Sequence, residues 1–211
     1  MTTANRITLY SSSISGHSHR VRLFLSLLGL PFETVEIDLI AGAQRSPEFL
    51  RRNAFGQVPV IEDGDITLAD SNAILLYLNE RHAPDPARWL PRDALGAAHV
   101  QRWLSVAAGP LAEGPAAARV MVLFALATDP TSVIARSHKL LRVMESELAE
   151  RPFLAGTEAT LADIANYSYV ALAPEGNVSL EPYPNVRAWL QRIEALPGFV
   201  PMVRTPIGLA A

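Results

Sequence analysis

Residues 53–78, NAFGQVPVIEDGDITLADSNAILLYL, constrain what this chain can fold into more tightly than any other stretch. Pro59 stands between Val58 and Val60 at the start of an apolar run. Proline has no N–H to give a sheet ladder, so it belongs at a strand's first residues, and a turn or a cis peptide is expected there. Asp63-Gly64 between two apolar runs is a hairpin signal, because two-residue turns need positive φ. Two antiparallel strands are therefore expected around it. Asp70 and Ser71 then precede the apolar NAILLYL as N-cap candidates of a helix whose first N–H groups suit an anion.

Upstream, ITLY at 7–10 reads as a short strand and SSSISGHSHR as a polar loop. VRLFLSLLGL follows as a helix, with Val21, Phe24, Leu25 and Leu28 at i, i+3, i+4 and i+7, and with Gly29 and Pro31 closing it. In ETVEIDL, Val35, Ile37 and Leu39 alternate onto one face of a second strand. Strand, helix and strand in this order require a parallel pair. A short helix capped at Ser46, with Pro47 in its first turn, leads into the hairpin. The order β-α-β-α-β-β-α thus fills residues 1–82, and prolines at 84, 86 and 91 mark a linker over 83–92.

No strand pattern returns over 93–211. Val100, Trp103, Leu104 and Ala107 share one helical face, and Gly109-Pro110 and Gly114-Pro115 break or kink that helix before ARVMVLFALA resumes it. Ile134, Leu141, Met144 and Leu148 form a second stripe, and Val186, Trp189, Leu190 and Ile193 a third. Thr160 and Asp163 in TLADI make a capping box. The fold class is α/β followed by all-α, with Trp103 and Trp189 expected in the helical core.

Charge and composition remove several functions. Eighteen basic and 21 acidic residues, for a net charge of −3, form no basic cluster, so neither nucleic acid nor an anionic membrane is an expected partner. The longest apolar run, VMVLFALA, is far too short to span a bilayer, and MTTANRITLY lacks the apolar stretch of a signal peptide, so a cytoplasmic location is expected. There is no cysteine, which excludes disulfides, thiolate metal sites and any protein-borne thiol. His17 and His19 have no second ligand pair nearby and read as part of a solvated loop; no metal is expected.

QVPV, a hairpin and ADSNAILLYL in succession resemble the thioredoxin-like domain of the cytosolic glutathione transferases, and RPFLAGTEATLADI resembles their helical domain. The resemblance implies a cis Pro59, a Val58 backbone that pairs with the cysteinyl unit of glutathione, and Asp70 and Ser71 holding the γ-glutamyl end. It implies glutathione as co-substrate, with Gln44 and Gln57 toward its glycine carboxylate, and a homodimer. Asp163 is structural on this reading as well. The missing cysteine rules out the disulfide-reducing route some branches of the family use.

A free thiol with a pKa near 8.5 is only a few per cent thiolate at neutral pH, roughly, so the protein's task is to stabilise the anion. Ser15 stands where the theta, zeta and delta-like classes keep their catalytic serine, with Ser13 and Ser12 as successors. SISGHSHRVRLFLSLLGL is also similar to a bacterial group with a Ser-Gly-Asn loop, His17 replacing the asparagine. Tyr10 is set aside because it lies in the strand. The expected reaction is attack of the bound thiolate on a small uncharged electrophile, received around residues 103–121. A glutathione-dependent isomerase or dehalogenase and a non-catalytic protein-interaction module are the alternatives.

Overall fold

In a computed structural model that describes residues 6–211, the chain separates into two units, residues up to Pro84 together with Pro197–Met202, and Asp85–Leu196 together with Val203–Ala211. The first unit runs β1 (Ile7–Ser11), α1 (Gly16–Leu27), β2 (Phe32–Glu36), α2 (Pro47–Arg52), β3 (Val60–Asp63), β4 (Ile66–Ala69) and α3 (Ser71–His82). The sheet order is β2-β1-β3-β4, with β1 parallel to β2 and β3 antiparallel to both β1 and β4. Tyr10 pairs with Val60 on the face covered by Phe49 of α2, where Ile37, Leu39 and Ala69 also pack. Leu9 and Ile61, opposite one another in the next register, point to the other face, and α1 and α3 pack together on that side.

Local chemistry explains most of the boundaries. Gly29 takes φ +65°, and the N–H groups of Gly29 and Leu30 reach Ser26 and Leu25, closing α1 in a Schellman motif. Ser46 caps α2 by accepting from the Phe49 N–H, with Pro47 at the first position. The Val58–Pro59 peptide is cis, and the ladder begins at Val60.

In the first unit, three features differ from the sequence reading. Helix α1 starts at Gly16 rather than after Arg20, because Ser15 caps it and Ser18, His19 and Arg20 are buried among polar partners. His17 and His19 therefore lie in a helix and not in a solvated loop. The hairpin pairs Asp63 with Ile66, so its two loop residues are Gly64 and Asp65, and only Gly64 carries positive φ, at +61°. Finally, β2 is an edge strand whose Val35 stays exposed, while Ile37 and Leu39, past its end, do the packing.

Residues 197–202 return to the first unit and are tied to α1. The His19 Nε2–H donates to the Val200 carbonyl at 2.9 Å and Ser26 Oγ to the Gly198 carbonyl at 2.7 Å. A Cβ on Gly198, which has φ +87°, would stand 2.8 Å from the Ser26 carbonyl, so only glycine fits.

The second unit contains α4 (Pro86–Trp89), α5 (Ala94–Ala108), α6 (Ala117–Leu123), α7 (Thr131–Glu150), α8 (Leu161–Ala171) and α9 (Pro184–Glu194). Short helix α4 lies within the proline-rich segment read as a linker. The Gly-Pro pairs produce a π-helical turn over Ala112–Ala116 between α5 and α6. Helix α6 stops at Leu123, short of the predicted run, and Phe124 and Leu126 stay exposed beyond it. The stripe of α7 consists of Val133, Ser137, Leu140, Leu141, Met144 and Leu148, with Ile134 half-buried. Trp103 and Trp189 are core residues, as expected. Arg119 and Glu175 form a buried ion pair at 2.7 Å, and the Thr205 N–H donates to Glu175 at 2.9 Å, which fastens the last segment.

Candidate active site

The serines of the β1–α1 connection have distinct surroundings. Ser15, buried, is the N-cap of α1: its Oγ accepts from the Ser18 N–H at 3.2 Å, and its carbonyl accepts from the His19 N–H at 2.9 Å. The hydroxyl hydrogen of Ser15 is engaged by no described residue. It lies at the positive end of a 12-residue helix, where a donor and the helix dipole favour an anion together. Ser12 and Ser13 instead face Glu36. The Ser13 N–H donates to Glu36 Oε1 at 2.7 Å, and Ser12 Oγ approaches the same oxygen at 3.5 Å. A carboxylate there opposes a second anion.

The imidazoles beside this loop are held neutral. Burial, seconded by the Arg20 charge, brings His17 down to about 3. Burial also brings His19 down to about 4, against the opposing pull of its bond to Val200. Since the Val200 carbonyl only accepts, the proton of neutral His19 sits on Nε2. Tyr10 is occupied elsewhere: its hydroxyl donates to Glu62 at 2.9 Å, the Arg52 guanidinium lies 4.6 Å from its ring centroid, and burial pushes its pKa up.

The start of α3 is the second polar centre. Asp70 adopts φ +70° and ψ 122°, and its Oδ1 accepts from the Asn72 N–H at 3.0 Å and the Ala73 N–H at 2.9 Å. Its other oxygen is engaged by no described residue, and the side chain is exposed. Ser71 is buried, and its Oγ accepts from Arg20 Nη1 at 2.9 Å. The same nitrogen donates to Asn72 Oδ1 at 2.8 Å. Arg20 and Asn72 did not emerge from the sequence. An arginine beside an apolar helical run carries no local sign that it turns inward.

Val58 and Pro59 are buried, with Val58 just outside the ladder. Gln57 is exposed, and its carbonyl accepts from Asn53 Nδ2 at 2.8 Å. Gln44 occupies a single 3₁₀ turn, Ala43–Arg45, half-buried, with an Oε1 that takes no hydrogen bond from a described residue. Its carbonyl lies 3.2 Å from where a Cβ on Gly56 would stand, so the two glutamine-bearing loops touch. In the helical unit, Trp103, Ala107, Leu111, Ala116 and Ala118 are buried, so the surface of residues 103–121 is narrower than the sequence suggested. Among the described residues no cluster of His, Asp or Glu is placed to hold a metal ion, and no helix is long and apolar enough to cross a membrane.

A mixed four-stranded sheet with a cis proline before its third strand, followed by a helical unit, defines a thioredoxin-like domain joined to an all-α domain. Residues 5–80 match the family model "Glutathione S-transferase, N-terminal domain" and residues 124–197 match "Glutathione S-transferase, C-terminal domain". Glutathione S-transferase 3 of Zea mays is 35% identical over 204 residues, covering 92% of this chain and 91% of its own. The crystal structure of a glutathione S-transferase from Pseudomonas fluorescens superposes with a TM-score of 0.87 at 32% identity, covering 94% of this chain and 99% of that one. A Drosophila mojavensis glutathione transferase homolog, solved with bound glutathione, gives a TM-score of 0.84 at 29% identity over 91% and 89% of the two chains. The chain belongs to the glutathione S-transferase family.

Proposed function

We propose that this protein is a glutathione transferase in which Ser15 donates its hydroxyl hydrogen to the glutathione sulfur and holds it as thiolate. The single observation that carries this is the state of Ser15: an N-cap whose oxygen is filled by the Ser18 N–H, leaving its hydrogen at the positive end of α1. Ser12 and Ser13 are the weaker candidates, because Glu36 faces both. Val58 pairs its backbone with the cysteinyl unit beside the cis Pro59, Asp70 takes the γ-glutamyl ammonium and Ser71 its carboxylate, and Gln44 and Gln57 serve the glycine end. Glutathione bound to the Drosophila mojavensis homolog supports this assignment of the ligand.

In the reaction the thiol proton leaves to solvent, the thiolate attacks an electrophilic carbon, and a carbon–sulfur bond forms as the leaving group departs. Stabilising the thiolate by one pKa unit corresponds to about 1.4 kcal/mol, the scale of one charge-assisted hydrogen bond. The electrophile is small and uncharged, the protein is a cytoplasmic homodimer, and the same bound thiolate would serve isomerisation or dehalogenation. Calorimetric titration with glutathione, paired with turnover of a chloronitrobenzene, tests the reading. Ser15→Ala should keep glutathione affinity within a few-fold and lower turnover by about 10²-fold. Unchanged turnover would move the role to Ser13, Ser12 or a backbone N–H, and no binding at millimolar glutathione would overturn the transferase reading.

A further inference from the structure

We infer that Arg20 is a positioning residue for the γ-glutamyl site, acting through Ser71 and Asn72. The inference rests on the glutathione reading above and extends it to a residue outside the ligand's contact set. Arg20 is 1% exposed and lies in the second turn of α1, yet its Nη1 reaches across to the first turn of α3. That nitrogen has two hydrogens, and they go to Ser71 Oγ at 2.9 Å and Asn72 Oδ1 at 2.8 Å.

The chemistry follows from what each acceptor has left. A serine hydroxyl holds one hydrogen and accepts through its lone pairs. With an arginine hydrogen on its oxygen, Ser71 must turn its own hydrogen away from the guanidinium, and no described residue receives it. Arg20 therefore makes Ser71 a donor, the role a γ-glutamyl carboxylate requires. Asn72 Oδ1, held by the same nitrogen, fixes the amide at the adjacent position of the helix. Asp70 meanwhile ties down the Asn72 and Ala73 N–H groups with one oxygen and keeps the other for an ammonium. The cation thus orders the carboxylate half of a zwitterion site whose ammonium half is Asp70. Both hydrogens leave one nitrogen of a rigid planar guanidinium, whose reach and direction a shorter and more flexible ammonium stem reproduces only in part.

The test is a double-mutant cycle on the full-length protein, with Arg20→Met, Arg20→Lys, Ser71→Ala and the combined variants. Glutathione affinity is read by calorimetry and KM and kcat by turnover. Arg20→Met should raise KM and Kd for glutathione about tenfold and leave kcat within about twofold, since the thiol end is untouched. In the Ser71→Ala background the same change should cost less than about threefold. Arg20→Lys, which keeps the charge and the fold, should show an intermediate loss, and that loss should vanish with cysteinylglycine in place of glutathione, because this dipeptide lacks the γ-glutamyl unit. A full tenfold loss persisting in Ser71→Ala, or an equal loss with cysteinylglycine, would overturn the inference. Should Arg20→Met fail to fold, the Lys variant alone decides: wild-type affinity for glutathione overturns it. Absence of glutathione binding by the unmodified protein would instead overturn the glutathione reading.

Discussion

Helices α3 and α8 begin with the same kind of residues and put them to different ends. At α8, Thr160 and Asp163 form a capping box, and Asp163 also accepts from the Leu154 N–H at 2.9 Å and from Trp189 Nε1 at 2.8 Å. Its carboxylate is fully buried and both oxygens are used inside the protein. At α3, Asp70 caps with one oxygen and keeps the other in solvent, at a positive φ that only surrounding structure sustains. The difference lies in how completely the cap's hydrogen-bonding capacity is consumed. A saturated cap is architecture, and an unsaturated one is available to a ligand. Helix α1 stands between the two: its Ser15 is buried like Asp163, but its hydrogen remains to be donated, like the outer oxygen of Asp70.

The largest test of this contrast is Asp163→Asn. Burial pushes the Asp163 carboxyl up while its N–H and O–H partners pull it down. The amide would set an NH₂ against donors that have no other acceptor. A stability loss of about 3–5 kcal/mol is expected by chemical denaturation, with glutathione affinity of the folded fraction unchanged. A loss under about 1 kcal/mol would show that the hydrogen-bonding capacity of this cap is not fully consumed.

The start of α1 predicts a pH dependence. His17 and His19 fall to about 3 and about 4 in the folded protein, below the ordinary value near 6.5. The folded state then binds fewer protons than the unfolded state as pH drops below 6.5, so stability is complete above that value and falls as pH approaches 4. Each imidazole contributes a slope of up to about 1.4 kcal/mol per pH unit inside that window. Thermal unfolding between pH 7 and 4.5 measures it, and His19→Gln, which retains a donor toward Val200, should flatten the curve. A wild-type midpoint independent of pH in this range would mean the imidazoles are not held neutral by burial.

The smallest effect on stability and the clearest on binding are expected at α3. Asp70→Ala removes a cap in solvent and a strained aspartate together, so stability should change by about 1 kcal/mol, while glutathione affinity falls by about tenfold or more. Retained affinity in Asp70→Ala would erase the distinction between the two helix starts.

How much of this was legible beforehand depends on the range of the interaction. Caps, hairpins and breakers act within a few residues, so Ser46, Asp70, Thr160 and Gly29 could be read in one dimension, whereas at Pro59 local chemistry left a turn or a cis peptide open and the resemblance implied the cis form that is found. The helical stripes that contain Trp103 and Trp189 were equally readable, because periodicity carries them. The hairpin slipped by one residue because Asp63-Gly64 and Gly64-Asp65 both offer a left-handed glycine, and cross-strand register chose between them.

The amino-acid sequence by itself determined the order of elements and the division into an α/β and a helical part, because these rest on local propensity and on long patterned segments, while the family was read from the resemblance of QVPV, the hairpin and ADSNAILLYL. Only the tertiary structure decided which polar groups face inward. That Glu36 meets Ser12 and Ser13, that Arg20 reaches Ser71, and that His19 rests on Val200 depend on contacts 23 to 181 residues apart. A polar side chain is compatible with solvent or with burial, and its partner, distant in the chain, is what decides between them.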